Sequence, residues 1–164
     1  AKHFEEQGYK NFGIVSGPGD AVDAVFRKNG FVDHISEKED LKLVWEYKGD
    51  FSSESGRDAF NDYKKKNIPN MAIFGCNDHT CFGFMKEALE AGYKIPKDFI
   101  IAGYDNLSFC DNFTPELTSV ATNFDILGKR AIRTIENMVN DSNEIIRQFS
   151  MVPVEIVIRS STQN

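Results

Sequence analysis

Apolar residues along the chain follow two rhythms: short runs, and longer stretches in which they recur every three or four positions. The runs cover residues 12–16, 41–47, 71–75, 99–104, 118–121 and 152–158. Apolar segments of this length, bounded by polar or turn residues, predict β-strands. Between most of them lie residues 20–36, 52–67, 78–91 and 125–140. There Val22, Val25 and Phe26, or Phe82, Met85 and Leu89, fall on one face of a helix. The punctuation agrees. Asp20, Ser52 and either Asn77 or Asp78 are residue types that cap helix N-termini, whereas Gly8 and Gly92 suit the stops. Pro96 and Pro115 fall in connections.

Strand and helix alternate, which predicts parallel strands joined by crossover helices. The expected fold is α/β, a doubly wound and mostly parallel sheet flanked by helices. Two regions break the rhythm: a polar loop over 105–115 that holds Phe109 and Phe113, and a polar stretch over 141–143 before the last strand. In such sheets ligands bind beyond the carboxyl ends of the strands, where helix N-termini also point. The segments that follow the predicted strands read SGPGD, KGDF, GCNDH and GYDN, so functional residues are expected there.

Composition narrows the function more than the fold. The 164 residues suit one domain with a sizeable core, and no apolar run approaches the ~20 residues that span a bilayer. A formal charge of −6 and an acidic pI near 5.1 oppose contact with a phosphate backbone by this piece of chain. Lys64, Lys65 and Lys66 sit at the end of a predicted helix, where cations complement the dipole. Three cysteines, an odd number without framework spacing, point to a reducing, cytoplasmic setting. The start at Ala1, without a leader pattern, reads as a start partway through something larger.

The stretch FGCNDHTCFGF gathers cysteines and a histidine, yet it is no metal knuckle. His79 and Cys81 are two apart on a helix and point to different sides, so they cannot share an ion. Cys76, Cys81 and Cys110 are read as small buried hydrophobes. Of Asn77 and Asp78, one is expected to cap the helix and leave the other free for a ligand. SGPGDAV resembles half of a dinucleotide fingerprint through Gly17 and Gly19, with Glu46 in the place of a ribose-binding acid. Its third glycine position holds Val22, however, so a nicotinamide oxidoreductase stands only as a rival reading. There is no nucleophile elbow, zincin motif or phosphate-loop lysine, hence no catalytic residue, cofactor or metal is expected and the chain is not read as an enzyme. Asp105 is a carboxylate able to accept two hydroxyl protons, Arg27 a planar fork of donors, and Phe51 an apolar wall for a ring. These suit a polyhydroxylated or heterocyclic guest, but a structural Arg27–Asp105 ion pair with Phe51 in the core explains them equally well.

Longer motifs favour the first reading. GYDNLSFCDNFTPELTSVATNFDILGKRAI resembles the effector-binding core of the lactose-repressor/galactose-repressor (LacI/GalR) family. It carries Gly103-Tyr104-Asp105, then Thr114-Pro115-Glu116-Leu117-Thr118-Ser119-Val120, then Leu127-Gly128 and Ala131. Upstream, the apolar strand, the Asn-Asp pair and the turn with Gly92, Pro96 and Asp98 are similar to that family, as is FRKNGF at 26–31. GDFSSESG resembles its counterpart in one member, and PVEIVIRSST resembles the family's final strand and end. The resemblance covers essentially the whole chain.

The resemblance implies an effector domain with a periplasmic-binding-protein-like fold, of which residues 1–121 and about 151–160 form the C-terminal lobe. Residues of about 122–150 would belong to the N-terminal lobe of the intact protein. It implies effector contacts at Arg27, Phe51, Asn77 and Asp105, with Asp23 and Thr122 lining the pocket. It further implies a sugar-like or related polar effector, a homodimer, no membrane, and DNA binding only through an N-terminal headpiece outside this chain. The helix over 125–140 would then carry an apolar face, covered by a second copy or by folding back. A periplasmic-type solute-binding protein is the second rival.

Overall fold

The alternation of runs and amphipathic stretches is realised as a three-layer α/β/α arrangement. The computed structural model describes residues 1–66, 68–140 and 152–163. In chain order these form α1 (Lys2–Glu6), β1 (Asn11–Ser16), α2 (Val22–Ser36), β2 (Lys42–Lys48), α3 (Ser53–Lys66), β3 (Met71–Gly75), α4 (Asp78–Glu90) and β4 (Phe99–Asp105). β5 (Thr118–Ala121), α5 (Phe124–Asn140), β6 (Glu155–Val157) and a 3-10 turn at Ser160–Thr162 follow. The strands lie in the order β2-β1-β3-β4-β5-β6; all neighbours are parallel except the antiparallel β5–β6 pair.

The strand period of two sorts the core onto two faces. Met71 and Ile73 of β3, with Phe99 and Ile101 of β4, face α3 and α4 and meet Phe60, Tyr63, Phe84 and Met85. Ala72 and Phe74, with Ile100 and Ala102, face α1 and α2 and meet Phe4, Phe31 and Ile35. β3 is buried along its whole length, as a strand covered on both sides must be. α3 and α4 approach closely: a Cβ on Gly83 would run into the Ser53 carbonyl.

Ser52 and Asn77 cap α3 and α4 through Oγ–Ser55 N–H (3.0 Å) and Oδ1–Thr80 N–H (3.0 Å) bonds. Gly8 and Gly92 follow α1 and α4 with φ of +85°. Asp20 does not cap α2. The cap position is Ala21, without a side-chain bond, so the helix starts two residues later than predicted. α5 starts one residue earlier than predicted, because Asn123 Oδ1 accepts the Ile126 N–H at 3.0 Å. The last strand is shorter than the run at 152–158. Asn67 and the polar stretch over 141–143 lie outside the described residues.

Two further features position the site. The Phe-bearing loop over 105–115 folds onto α4, with Phe82 packed edge-on against Phe109 and Phe113. The chain end is stitched beneath the sheet rim: Ser161 donates to the Ile101 carbonyl and accepts from Thr118 N, while Arg159 donates to the Leu117 carbonyl. By contrast, none of the residues of α5 is buried.

Candidate functional site

β1 has β2 on one side and β3 on the other, so the chain winds outward in two directions and leaves a crevice beyond the carboxyl ends of β1, β3 and β4. Arg27 reaches into this crevice from the second turn of α2. Its Nη1 donates to the Cys76 carbonyl at the end of β3 (2.8 Å). Its Nη2 lies 3.1 Å from Asp105 Oδ1 and 3.3 Å from Asp23 Oδ2. Its Cζ stands 4.0 Å from the centroid of the Tyr104 ring and 5.8 Å from that of Phe51, so the guanidinium is held by aromatic faces as well as by oxygens. The Arg27 and Asp105 side chains are 16% and 18% exposed, whereas Asp23 is 58% exposed.

The backbone at this rim is strained where the functional residues sit. Phe51 has φ of 71°, Asp105 of 111° and Asn106 of 54°, a region that non-glycine residues rarely enter. Bonds from elsewhere hold Phe51 and Asn106, and Leu107 just beyond them. The Asn77 amide donates to the Phe51 carbonyl at 2.9 Å. Ser119 Oγ accepts the Asn106 N–H at 3.0 Å, and Asp78 Oδ2 accepts the Leu107 N–H at 2.8 Å. Gly17 is open to the Phe51 ring: a side chain there would occupy the space the ring fills. The half-fingerprint SGPGD therefore admits an aromatic side chain of the same protein. Glu46 is paired with Lys28.

Burial sets the electrostatics. Asp105 is raised above the ordinary carboxylate value chiefly by desolvation, against the pull of Arg27 and with the push of Asp78. Asp78, fully buried, is likewise raised by desolvation although it accepts bonds from Ser119 Oγ (2.6 Å), Leu107 N and Cys110 Sγ (3.2 Å). Cys76 and Cys110 are pushed up to about 12 by burial, so both are thiols at neutral pH. All three cysteines are free and buried. His79 is exposed while Cys81 is buried, so the two do point to different sides.

Arg27, Asp23, Asp105 and Phe51 thus meet as one cluster, and Asn77 supports it. Asn77 and Asp78 correct the expectation that one of them is left free: Asn77 caps α4 and also holds Phe51, while Asp78 is wholly engaged beneath the rim. Thr122 stands one residue beyond Ala121, the register partner of Asp105. It lines a hollow of about 460 Å³ with Asn123, Phe124, Val154 and Glu155. Tyr104, which is not among the residues expected from chemistry, covers the Arg27 guanidinium. Its signal was its place one residue before Asp105 at the end of β4, but which residue it stacks on is a tertiary matter. A mostly apolar hollow of about 440 Å³ opens beside it, lined by Phe26, Arg27, Phe31, Tyr104 and Val120 among others.

This crossover topology, with a polar cluster at the switch point, is that of periplasmic-type binding lobes, and sequence comparison agrees. Residues 1–162 match the family model described as periplasmic binding protein-like domain, and the chain belongs to that family. Within it, the chain carries the effector-binding pattern of LacI/GalR-type regulators. It is 33% identical over 164 residues to the HTH-type transcriptional repressor PurR of Photobacterium profundum, covering 99% of this chain and 49% of that protein. It is 31% identical over 163 residues to PurR of Mannheimia succiniciproducens, covering 99% and 48%. The chain therefore spans about half the length of the curated relatives it matches.

Among solved structures, a lac repressor dimer bound to operator and the anti-inducer ONPF superposes with a TM-score of 0.90. At 23% identity, over 99% of this chain and 56% of that one, this likeness shows the fold. A LacI family regulator from Enterococcus faecalis V583 with bound ribose superposes at 0.85, with 26% identity over 98% and 57%.

Proposed function

We propose that this chain is the ligand-sensing part of a bacterial LacI/GalR-type transcriptional regulator. A small polar effector, a sugar or a related hydroxylated or heterocyclic metabolite, binds over Arg27, Phe51 and Asp105, with Asn77 and Asp23 completing the wall. Thr122 meets the same guest from just beyond the end of β5. Residues of about 122–150 form part of an N-terminal lobe, and the effector lies between that lobe and residues 1–121. DNA is bound by a headpiece outside this chain, in a cytoplasmic homodimer. The effector makes different contacts in the open and closed lobe arrangements; a difference on the order of 1–3 kcal/mol is enough to change operator affinity. No bond is made or broken.

The observation that carries this reading is the meeting of Arg27, Asp105, Asp23 and Phe51 at the carboxyl ends of parallel strands, on strained backbone. A structural ion pair would need neither the aromatic wall nor the three positive-φ residues. That the curated relatives are repressors supports a regulator over a solute-delivery protein, and the three buried free thiols suit a reducing compartment. A thermal-shift screen of sugars and purines on the intact protein tests the proposal, with Asp105→Ala as control. The preferred ligand is expected to raise the melting temperature of the wild type and to lose that effect in the variant. Stabilisation that survives Asp105→Ala sinks the site assignment.

A further inference from the structure

Among the described residues Arg27 is the one cation of this cluster, and its charge is already met more than once. Nη2 faces both Asp105 (3.1 Å) and Asp23 (3.3 Å), and Nη1 is committed to the Cys76 carbonyl at 2.8 Å. One face of the guanidinium is covered by Tyr104. Asp78 stands behind, buried and in contact with the loop that follows Asp105. The nearby lysines do not restore the balance. Lys28 is paired with Glu46, and Lys48 lines a hollow at the Gly17–Gly19 turn with that same pair, without Arg27 or Asp105 in its lining.

Exposure points the same way. Asp23 is 58% exposed against 16% for Arg27, so the charged group that an incoming molecule meets first is a carboxylate. An ionised carboxylate only accepts hydrogen bonds, so it matches hydroxyl, amide or ammonium donors and opposes phosphate or carboxylate oxygens.

We propose that this site selects effectors that lack an anionic group, and that Asp23 is the residue that excludes phosphorylated or carboxylated molecules of the same shape. The inference rests on the effector-binding reading above and adds a charge class to it. An anion near Nη2 would have to displace Asp23 from its partner one helical turn away on the same helix. It would then leave two carboxylates facing the guest across a half-buried crevice, where water screens them less than in bulk. A neutral polyol or an amino-bearing ring meets no such opposition.

Isothermal titration of the intact protein with matched probes tests this: D-ribose against D-ribose 5-phosphate, D-glucosamine against D-glucosamine 6-phosphate, and adenosine against its 5′-monophosphate. The uncharged or amino member of the best-bound pair is expected to bind at least about tenfold more tightly than its anionic partner. In Asp23→Asn, which keeps the shape and removes the charge, that gap is expected to narrow by about threefold or more. A phosphate ester that binds the wild type as tightly as its neutral partner overturns the proposal. A gap that Asp23→Asn leaves unchanged removes Asp23 from it. A panel in which no probe of either kind binds overturns the effector-binding reading itself, and this inference with it.

Discussion

Nη2 of Arg27, on α2, lies 3.1 Å from Oδ1 of Asp105 at the end of β4, and both side chains are largely withdrawn from solvent. The pair joins a helix to a strand end and so ties two parts of the crevice wall together. Removing the guanidinium leaves a half-buried carboxylate unmatched. Arg27→Ala is expected to lower stability by on the order of 1–3 kcal/mol. Arg27→Lys is expected to recover part of this, because an ammonium can pair with Asp105 but cannot also span Cys76 and stack flat on Tyr104. Urea midpoints at unchanged slope check the order wild type, lysine, alanine.

Gly17 and Phe51 are complementary in space. A methyl at residue 17 would compete with the Phe51 ring and also crowd Ala24. Gly17→Ala is expected to destabilise by about 1–3 kcal/mol through overpacking and to displace the aromatic wall. Pairing it with Phe51→Leu is expected to give less than the sum of the two single losses, since both act on one cavity. A double-mutant cycle by thermal or urea unfolding measures the difference.

Asp78 gives a pH signature. Burial holds its carboxyl above the ordinary 3.8, so the native chain takes up its proton more readily than the unfolded chain does. The stability due to this group therefore rises as pH falls through its native pKa and levels off below 3.8. Asparagine has no such proton, and with one acceptor oxygen in place of two it cannot accept from both Leu107 N–H and Ser119 Oγ. Asp78→Asn is expected to cost on the order of 1–3 kcal/mol, with a larger cost near about pH 4.5 than near about pH 7.5. Unfolding at the two pH values checks the sign; a gap that shrinks on acidification contradicts it.

The apolar side of α5 is solvated in the single chain. Ile132, Ile135 and Met138 are 61%, 60% and 52% exposed, so the helix does not fold back on the described residues. A contiguous patch of this kind favours association. The isolated chain is expected to self-associate in sedimentation velocity, and Ile132→Ser with Ile135→Ser is expected to shift it towards monomer. A wild-type chain that sediments as a single monomer at high concentration contradicts this.

Much of this architecture was legible in the order of residues. Unbroken apolar runs such as MAIFG and FIIAGY require burial on both sides, which only a covered parallel sheet supplies. Ser52, and a cap at either Asn77 or Asp78, were legible because capping is local chemistry. Asp20 was not: its suitability as a cap did not determine the backbone of the SGPGD turn, where Ala21 took the position. Of Asn77 and Asp78, the sequence showed two polar groups at a strand end. It could not show that the loop after Asp105 and the carbonyl of Phe51 would claim both.

What the sequence by itself determined was the alternation of strand and helix, and with it the rim of the sheet on which a ligand must be met. These follow from periodicity and capping, which act over a few residues. Only the tertiary structure decided that Arg27 is shared between Asp23 and Asp105, that Tyr104 covers it, and that Phe51 fills the gap at Gly17. Those relations join residues from different strands and helices. Their distances are set by how the sheet twists and packs, which no local pattern encodes.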